Sequence, residues 1–283
     1  MDKDKTKIGF IGQGWRGKNY ADDFESRGFD VVRYSLEDVY VKNKGLISGC
    51  DVVFIAVPSP TKNGVFDDSI VREALGLVGK DKVAIIKSTL LPGYTKKIQS
   101  NFNDITIFIN PEFLSVVTAR YDASNPTRNI IGVPLGNVEY MKIASDVMGI
   151  LPKASFELIC DSTEAELIKY ARNCIGYTRV LMANVFYDLS QSLGVDYENI
   201  KTAVSADPDN GPTYANALHK SGRGAGGECF IKDFAALREF YTSMVNDISG
   251  IEMLSAMEKK NIELLKSTNK DIKLLKGVYG DHI

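Results

Sequence analysis

Histidine is nearly absent from this chain. Among 283 residues there are two, His219 and His282, too few for a histidine-based triad or an ordinary metal centre. Cysteine is scarce as well: Cys50, Cys160, Cys174 and Cys229 stand far apart with no C-x-x-C pair, which speaks against a zinc site and a disulfide framework. The expectation is no metal and reduced thiols. No apolar run approaches the roughly 20 residues that span a bilayer, and Met1-Asp2-Lys3-Asp4-Lys5 does not open a signal peptide. Charge of one sign is lacking too. With 34 basic against 36 acidic residues and no Lys/Arg-rich block, no field favours nucleic acid. These absences together predict a cytoplasmic protein with no membrane or nucleic-acid partner, whose acid–base chemistry falls to Lys, Asp, Glu or water.

What is present is enough apolar sequence, 44% of residues, for ordinary cores, in a length that suggests two domains. Short apolar runs alternate with amphipathic stretches: strands at Lys7 to Ile11, Asp30 to Tyr34, Val52 to Val57, Val83 to Ile86, Ile105 to Ile109, Asn129 to Val133 and Ser155 to Ile159. Helices are expected at Lys18 to Arg27, Asp68 to Val78, from Tyr94, and at Val138 to Met148. That βαβ texture predicts a Rossmann-like, doubly wound parallel sheet over residues 1–160. From Ser162 to about Leu193 a single long helical pattern begins, with Glu164 and Glu166 in its first turn; the alternative is two helices broken at Gly176. Further helices follow at Tyr197 to Val204, Phe230 to Met244 and Ile248 to Leu265. Residues 161–283 are therefore expected to form an all-helical central and dimerisation domain, its long connecting helix packing against a second copy as a homodimer.

The first strand runs into Gly12-Gln13-Gly14-Trp15-Arg16-Gly17, a G-x-G-x-x-G turn followed by a helix. Gly12 permits the tight turn, Gly14 lets backbone approach a diphosphate, and Gly17 lets the helix pack on the strand. The second strand should end in an acid that holds a ribose 2′-hydroxyl, and it ends in Ser35 instead. Arg33 or Lys42 could approach a 2′-phosphate, or Glu37 or Asp38 could serve the ribose of NAD. NAD is the expected cofactor and NADP stays open.

Ligands of open α/β sheets bind outside the carboxyl ends of strands. Three loops stand there: Val57-Pro58-Ser59-Pro60-Thr61, Lys87-Ser88-Thr89 and Asn110-Pro111-Glu112-Phe113-Leu114. Near the other end, Gly222-Arg223-Gly224-Ala225-Gly226-Gly227-Glu228-Cys229-Phe230-Ile231-Lys232-Asp233 brings a thiol, an ammonium and a carboxylate together. A lysine and free N–H groups at a helix start both lower a thiol pKa. The blander alternative is a buried structural cysteine.

In this order the six motifs, with Glu166-Leu167-Ile168-Lys169-Tyr170 and Asn173 as the fifth, resemble the UDP-glucose/GDP-mannose dehydrogenase family of nucleotide-sugar 6-dehydrogenases, from Gly12 through about Leu265. The resemblance implies oxidation of a primary alcohol to a carboxylate in two hydride transfers. It casts Cys229 as the nucleophile that holds the aldehyde, Lys169 and Asn173 as oxyanion partners, Asp233 and Thr89 as holders of the water for proton transfer, and Glu112 as an activator of water for thioester hydrolysis. Cofactor contacts are assigned to Gly12, Gly14, Trp15, Gly17, Ser35, Val57, Pro58, Ser88, Thr89 and Lys232. Substrate contacts are assigned to Glu112, Phe113, Leu114, Lys169, Asn173, Gly226 and Cys229.

Two departures go with the resemblance. Family members usually continue into a third domain that grips the nucleotide, which is expected to be missing here or supplied by a separate chain. In Asp207-Pro208-Asp209-Asn210-Gly211 an arginine usual in the family is replaced by Asp209 or Asn210. Besides a sugar-nucleotide dehydrogenase, a single-step dehydrogenase of the 6-phosphogluconate or 3-hydroxyisobutyrate type and a non-catalytic cofactor-binding subunit stand as alternatives.

Overall fold

Short runs of β-branched and aromatic residues, bounded by glycine and charge, form strands wherever both faces can be covered. The computed structural model describes residues 5–62, 65–220 and 222–281. Its elements begin with β1 (Lys7–Ile11), α1 (Trp15–Ser26), β2 (Asp30–Tyr34), α2 (Asp38–Val41), β3 (Val52–Ile55), the ribbon strands β4 (Thr61–Lys62) and β5 (Val65–Phe66), and α3 (Ser69–Leu75). They continue through β6 (Val83–Ile86), α4 (Tyr94–Gln99), β7 (Thr106–Ile109), α5 (Ala119–Ser124), β8 (Arg128–Val133), α6 (Val138–Ile150) and β9 (Phe156–Asp161). After these come α7 (Ser162–Leu193), α8 (Tyr197–Ala206), β10 (Leu218–His219), β11 (Gly222–Arg223), α9 (Glu228–Met244), α10 (Ile248–Ser267) and α11 (Ile272–Tyr279). The chain divides into two compact units, one reaching Ser59 and resuming over Asp67–Lys169, the other holding Pro60–Phe66 and everything from Tyr170.

The first unit is a seven-stranded sheet in the order β2-β1-β3-β6-β7-β8-β9. β1 pairs in parallel with β2 on one side and β3 on the other, so the strand order reverses beside β1. That reversal is the switch point where open α/β sheets take ligands, and the turns after β1 and β3 flank it. Two strands depart from the parallel expectation: β8 runs antiparallel to β7, with Ile109 opposite Gly132, and β9 runs parallel to β8 and so is reversed with it. The connection between β7 and β8 carries only the short α5, which packs on α1, so the chain returns without a full crossover helix. The core under the sheet is aromatic. Phe10 stacks on Phe54 at 4.9 Å, and Phe24 meets Phe10, Phe54 and Phe29 at 5.1 to 5.4 Å, all with negligible exposure. Removing such a ring costs about 3 to 5 kcal/mol.

The second unit is helical, with the two-stranded ribbons β4-β5 and β10-β11 beside the helices. Helix α7 runs 32 residues without interruption. Gly176 does not break it. A Cβ there would lie 2.8 Å from the Tyr214 ring and 3.0 Å from the Phe230 ring, so this glycine serves close packing against the helix rather than a turn. At the next residue Tyr177 stacks on Phe234 of α9 at 3.9 Å, and both rings are fully buried. No helix among the described residues is long and apolar enough to cross a membrane.

Candidate active site

The glycine turn after β1 is sterically determined. Gly12 sits at φ +91°, and a Cβ on it would lie 2.4 Å from the Ala56 carbonyl oxygen; one on Gly17 would lie 1.9 Å from the Gly12 carbonyl oxygen. Gly14 differs, since a Cβ there would meet nothing within 4 Å. It caps α1 in extended backbone and, being glycine, brings no side chain over the helix start. The positive end of a 12-residue helix, reached past a glycine that faces open space, fits a dinucleotide diphosphate. Trp15 is half-exposed, with the Arg16 guanidinium carbon 4.5 Å above its ring.

At the end of β2, Ser35 is half-buried and its Oγ accepts the Glu37 N–H at 3.3 Å. Arg33 is not available for a 2′-phosphate. Its guanidinium is bound to Asp22 at 2.7 Å and to both Glu25 oxygens at 2.8 and 2.6 Å. The loops after β3 and β6 are laced together: Ser88 donates to the Val57 carbonyl at 2.6 Å and Ser59 to the Thr89 carbonyl at 2.8 Å. Those bonds leave Val57 and Thr89 half-buried and Pro58 exposed, at the strand ends beside the switch point.

A buried charge cluster lies in the same unit. Glu112 Oε1 is held by Lys169 Nζ at 3.1 Å and Arg16 Nε at 2.9 Å, while Oε2 accepts the Leu114 N–H at 3.0 Å. Lys169 also donates to the Glu112 carbonyl at 2.5 Å. Burial works against the Glu112 carboxylate, but Lys169 and Arg16 more than offset it and hold the group below the usual range. Phe113 packs under the cations, 5.5 Å from Lys169 Nζ and 4.1 Å from the Arg128 guanidinium carbon. Beside them Lys87, 4% exposed, donates to Asn110 Oδ1 at 2.6 Å and lies 3.8 Å from the Tyr20 ring centre. Burial, aided by repulsion from Lys169 and opposed by Glu112, brings its pKa down to about 7. Glu166, one turn before Lys169, accepts the Gly93 and Thr95 N–H groups at 2.6 and 2.8 Å and the Thr95 hydroxyl at 2.5 Å. It thereby caps α4 below the Thr89 loop, and burial raises its pKa to about 7.

The second unit holds a smaller cluster. Asp233 is 1% exposed, with Oδ1 on Lys232 at 2.8 Å and Oδ2 accepting from Asn173 Nδ2 at 2.6 Å. Asn173 Oδ1 takes a bond from Arg172 at 3.0 Å. Cys229 occupies the first turn of α9, half-buried, behind Gly227, whose N–H donates to Asp271 at 2.7 Å. Gly226 is seated against Asp271 and Lys270, where a Cβ would lie 2.2 Å from the carboxylate. Of the other three thiols, Cys50 and Cys174 are buried and Cys160 is half-buried; loss of solvent pushes Cys50 and Cys160 up to about 11 and raises Cys174 further. Among the described residues no group of three His, Cys, Asp or Glu could hold a metal.

Arg16, Lys87, Asn110 and Glu166 carry no site role in the sequence reading. Arg16 occupies an x of the glycine fingerprint, a position with no residue rule, and Lys87 and Glu166 are hidden inside quoted motifs. The available signal was a charged residue where a strand end or helix interior should be apolar.

Residues 38–142 match the model of the UDP-glucose/GDP-mannose dehydrogenase family NAD binding domain, and residues 163–263 match that of its central domain. The chain belongs to the UDP-glucose/GDP-mannose dehydrogenase family. All but the Pro60–Phe66 ribbon of the NAD-binding match lies in the first unit. A UDP-glucose 6-dehydrogenase from Rickettsia conorii is 30% identical over 277 residues, covering 92% of this chain and 60% of that protein. The chain thus spans about three fifths of that relative's length. A UDP-glucose dehydrogenase from Pyrobaculum islandicum has a similar structure, with TM-score 0.76 and 26% identity over 93% of this chain and 68% of that one. A 3-hydroxyisobutyrate dehydrogenase from Mycobacterium tuberculosis shares the fold at TM-score 0.70 and 14% identity, covering 98% of this chain and 99% of the other.

Proposed function

We propose that this protein oxidises the primary alcohol of a sugar nucleotide, UDP-glucose-like in class, to a carboxylate with two hydrides leaving and one water consumed. The observation that carries the reading is Cys229 on the first turn of α9, ahead of the Lys232–Asp233–Asn173 cluster, in a chain of this family. NAD, when bound at the Gly12–Gly17 turn, supplies the hydride acceptor. The rest falls to the chain's own groups. After the first oxidation the Cys229 sulfur attacks the aldehyde carbon, and the C–S bond formed gives a thiohemiacetal. Lys169 and Asn173, one helical turn apart on α7, donate to the oxyanion. Loss of the second hydride leaves a thioester, and water replaces the sulfur to release the acid and restore the thiol.

Thr89 and Asp233 each take a part in proton transfer through water in this reading, and the Lys232 ammonium favours the thiolate through space. Glu112 as found is a counter-ion, both oxygens occupied and its pKa depressed, so its part in thioester hydrolysis requires release of one of its two cations. The decisive experiment is a panel of UDP- and GDP-sugars and free sugars, read as NADH formed per substrate consumed. Two per substrate supports the four-electron reading, and one supports a single-step dehydrogenase, for which the Mycobacterium tuberculosis likeness shows shape alone. Cys229→Ala should lower acid formation by at least about a thousandfold while leaving NAD binding intact; uronic acid at the normal rate would remove the thiol from the mechanism.

We also propose a homodimer built on α7. Ile175, Met182, Phe186, Leu189 and Leu193 are 48 to 74% exposed and recur at helical spacing along one side of the helix. Light scattering should give a dimer mass for the unaltered protein and a monomer mass for Phe186→Glu.

A further inference from the structure

Arg16 joins two features that the family reading keeps apart. It sits in the first turn of α1, at the helix end that fits the cofactor diphosphate, and its side chain reaches the buried Glu112 carboxylate at 2.9 Å. Its side chain is 28% exposed, against 4% for Glu112 and 6% for Lys169. Of Glu112's two cations Arg16 is thus the more exposed, although its Nε is buried against the carboxylate. The arrangement carries two cations on one carboxylate, so the pocket has a positive surplus that a bound anion relieves.

We propose that Arg16 is a positioning residue shared between the Glu112 carboxylate and the cofactor diphosphate, so that filling the dinucleotide site loosens Glu112. A diphosphate at the α1 N-terminus offers Arg16 a second, doubly charged partner. As the guanidinium shifts toward it, Glu112 keeps Lys169 alone and becomes the stronger base. The inference rests on the dinucleotide reading of the Gly12–Gly17 turn, and supplies the release that the hydrolysis role of Glu112 requires.

The test is a double-mutant cycle read as NAD⁺ affinity. Dissociation constants for NAD⁺ are measured by calorimetry, and again through the fluorescence of Trp15, the chain's sole tryptophan, which lies against Arg16. Arg16→Gln should weaken binding by about threefold to tenfold, and Glu112→Gln should tighten it by a similar factor by freeing Arg16. In the Arg16→Gln background, Glu112→Gln should change affinity by less than about twofold, since the shared partner is gone. An equal effect of Glu112→Gln in both backgrounds overturns the sharing while leaving the dinucleotide reading standing. If the unaltered chain gives neither heat nor a Trp15 response, the dinucleotide reading falls and the sharing with it. Should Glu112→Gln fail to fold, Arg16→Lys decides: it should bind at least about threefold more tightly than Arg16→Gln, and equal affinities overturn the proposal.

Discussion

Two of the buried carboxylates, one in each unit, are built on one plan and differ in how they are balanced. Glu112, in the first unit, carries two cations and a backbone donor; Asp233, in the second, carries one lysine and one neutral amide. Glu112 is over-neutralised and Asp233 is matched. Cations placed in excess keep a carboxylate ionised and weakly basic, whereas a matched pair leaves no net charge to attract an anion. The surplus on the first unit suits a site that must hold phosphate or a developing oxyanion. The neutral pair on the second suits a thiol that should not be flooded with negative charge.

Breaking the first cluster should cost most. Lys169→Met removes one of two cations from a buried carboxylate that cannot reach water, and should lower stability by about 3 to 5 kcal/mol in urea titrations. A loss under about 1 kcal/mol would mean that Arg16 alone neutralises Glu112, and the contrast between the units would vanish. The matched pair should be less sensitive. In Asp233→Asn one amide end still accepts from Asn173, but the other turns an N–H toward the Lys232 ammonium, donor against donor. That should cost about 1 to 3 kcal/mol, measured in the same titrations. A larger loss than for Lys169→Met would reverse the ranking.

Much of this architecture was legible in order. β1, β2 and β6 start and stop where their apolar runs do, and α7 spans Ser162 to Leu193 as its periodicity predicts, because burial on both faces or along one stripe leaves an unambiguous pattern. The reversed direction of β8 was not legible, since an apolar run looks alike in either direction and the sense is set by how α5 packs on α1. Gly176 misled for a related reason: a glycine in a helix signals either a break or a close neighbour, and the neighbours, Tyr214 and Phe230, lie far away in sequence. At the site, the sequence offered the charged and hydroxyl residues one motif at a time. Their pairings were hidden because an ion pair such as Arg16 with Glu112 joins positions 96 residues apart, and no local spacing encodes it.

Lys87 sharpens the comparison most finely, because it adds a third cation to the surroundings of Glu112 only when the pH is low. Its pKa of about 7 in the fold compares with about 10.4 for an unfolded lysine. Between these values the unfolded chain holds the proton and the folded chain does not, so stability rises with pH through that window. Below pH 7 both states are protonated and the slope vanishes. The gain should approach about 1 kcal/mol from pH 7 to pH 8. Lys87→Met, similar in volume but unable to titrate, should lack it, as melting temperatures measured on both proteins at the two pH values would show. Equal slopes would mean that the Asn110 oxygen and the Tyr20 ring keep the ammonium charged in the fold. Glu112 would then have a permanent third cation, Lys87, near Lys169 and Arg16, and its contrast with the Asp233 pair would be stronger at every pH.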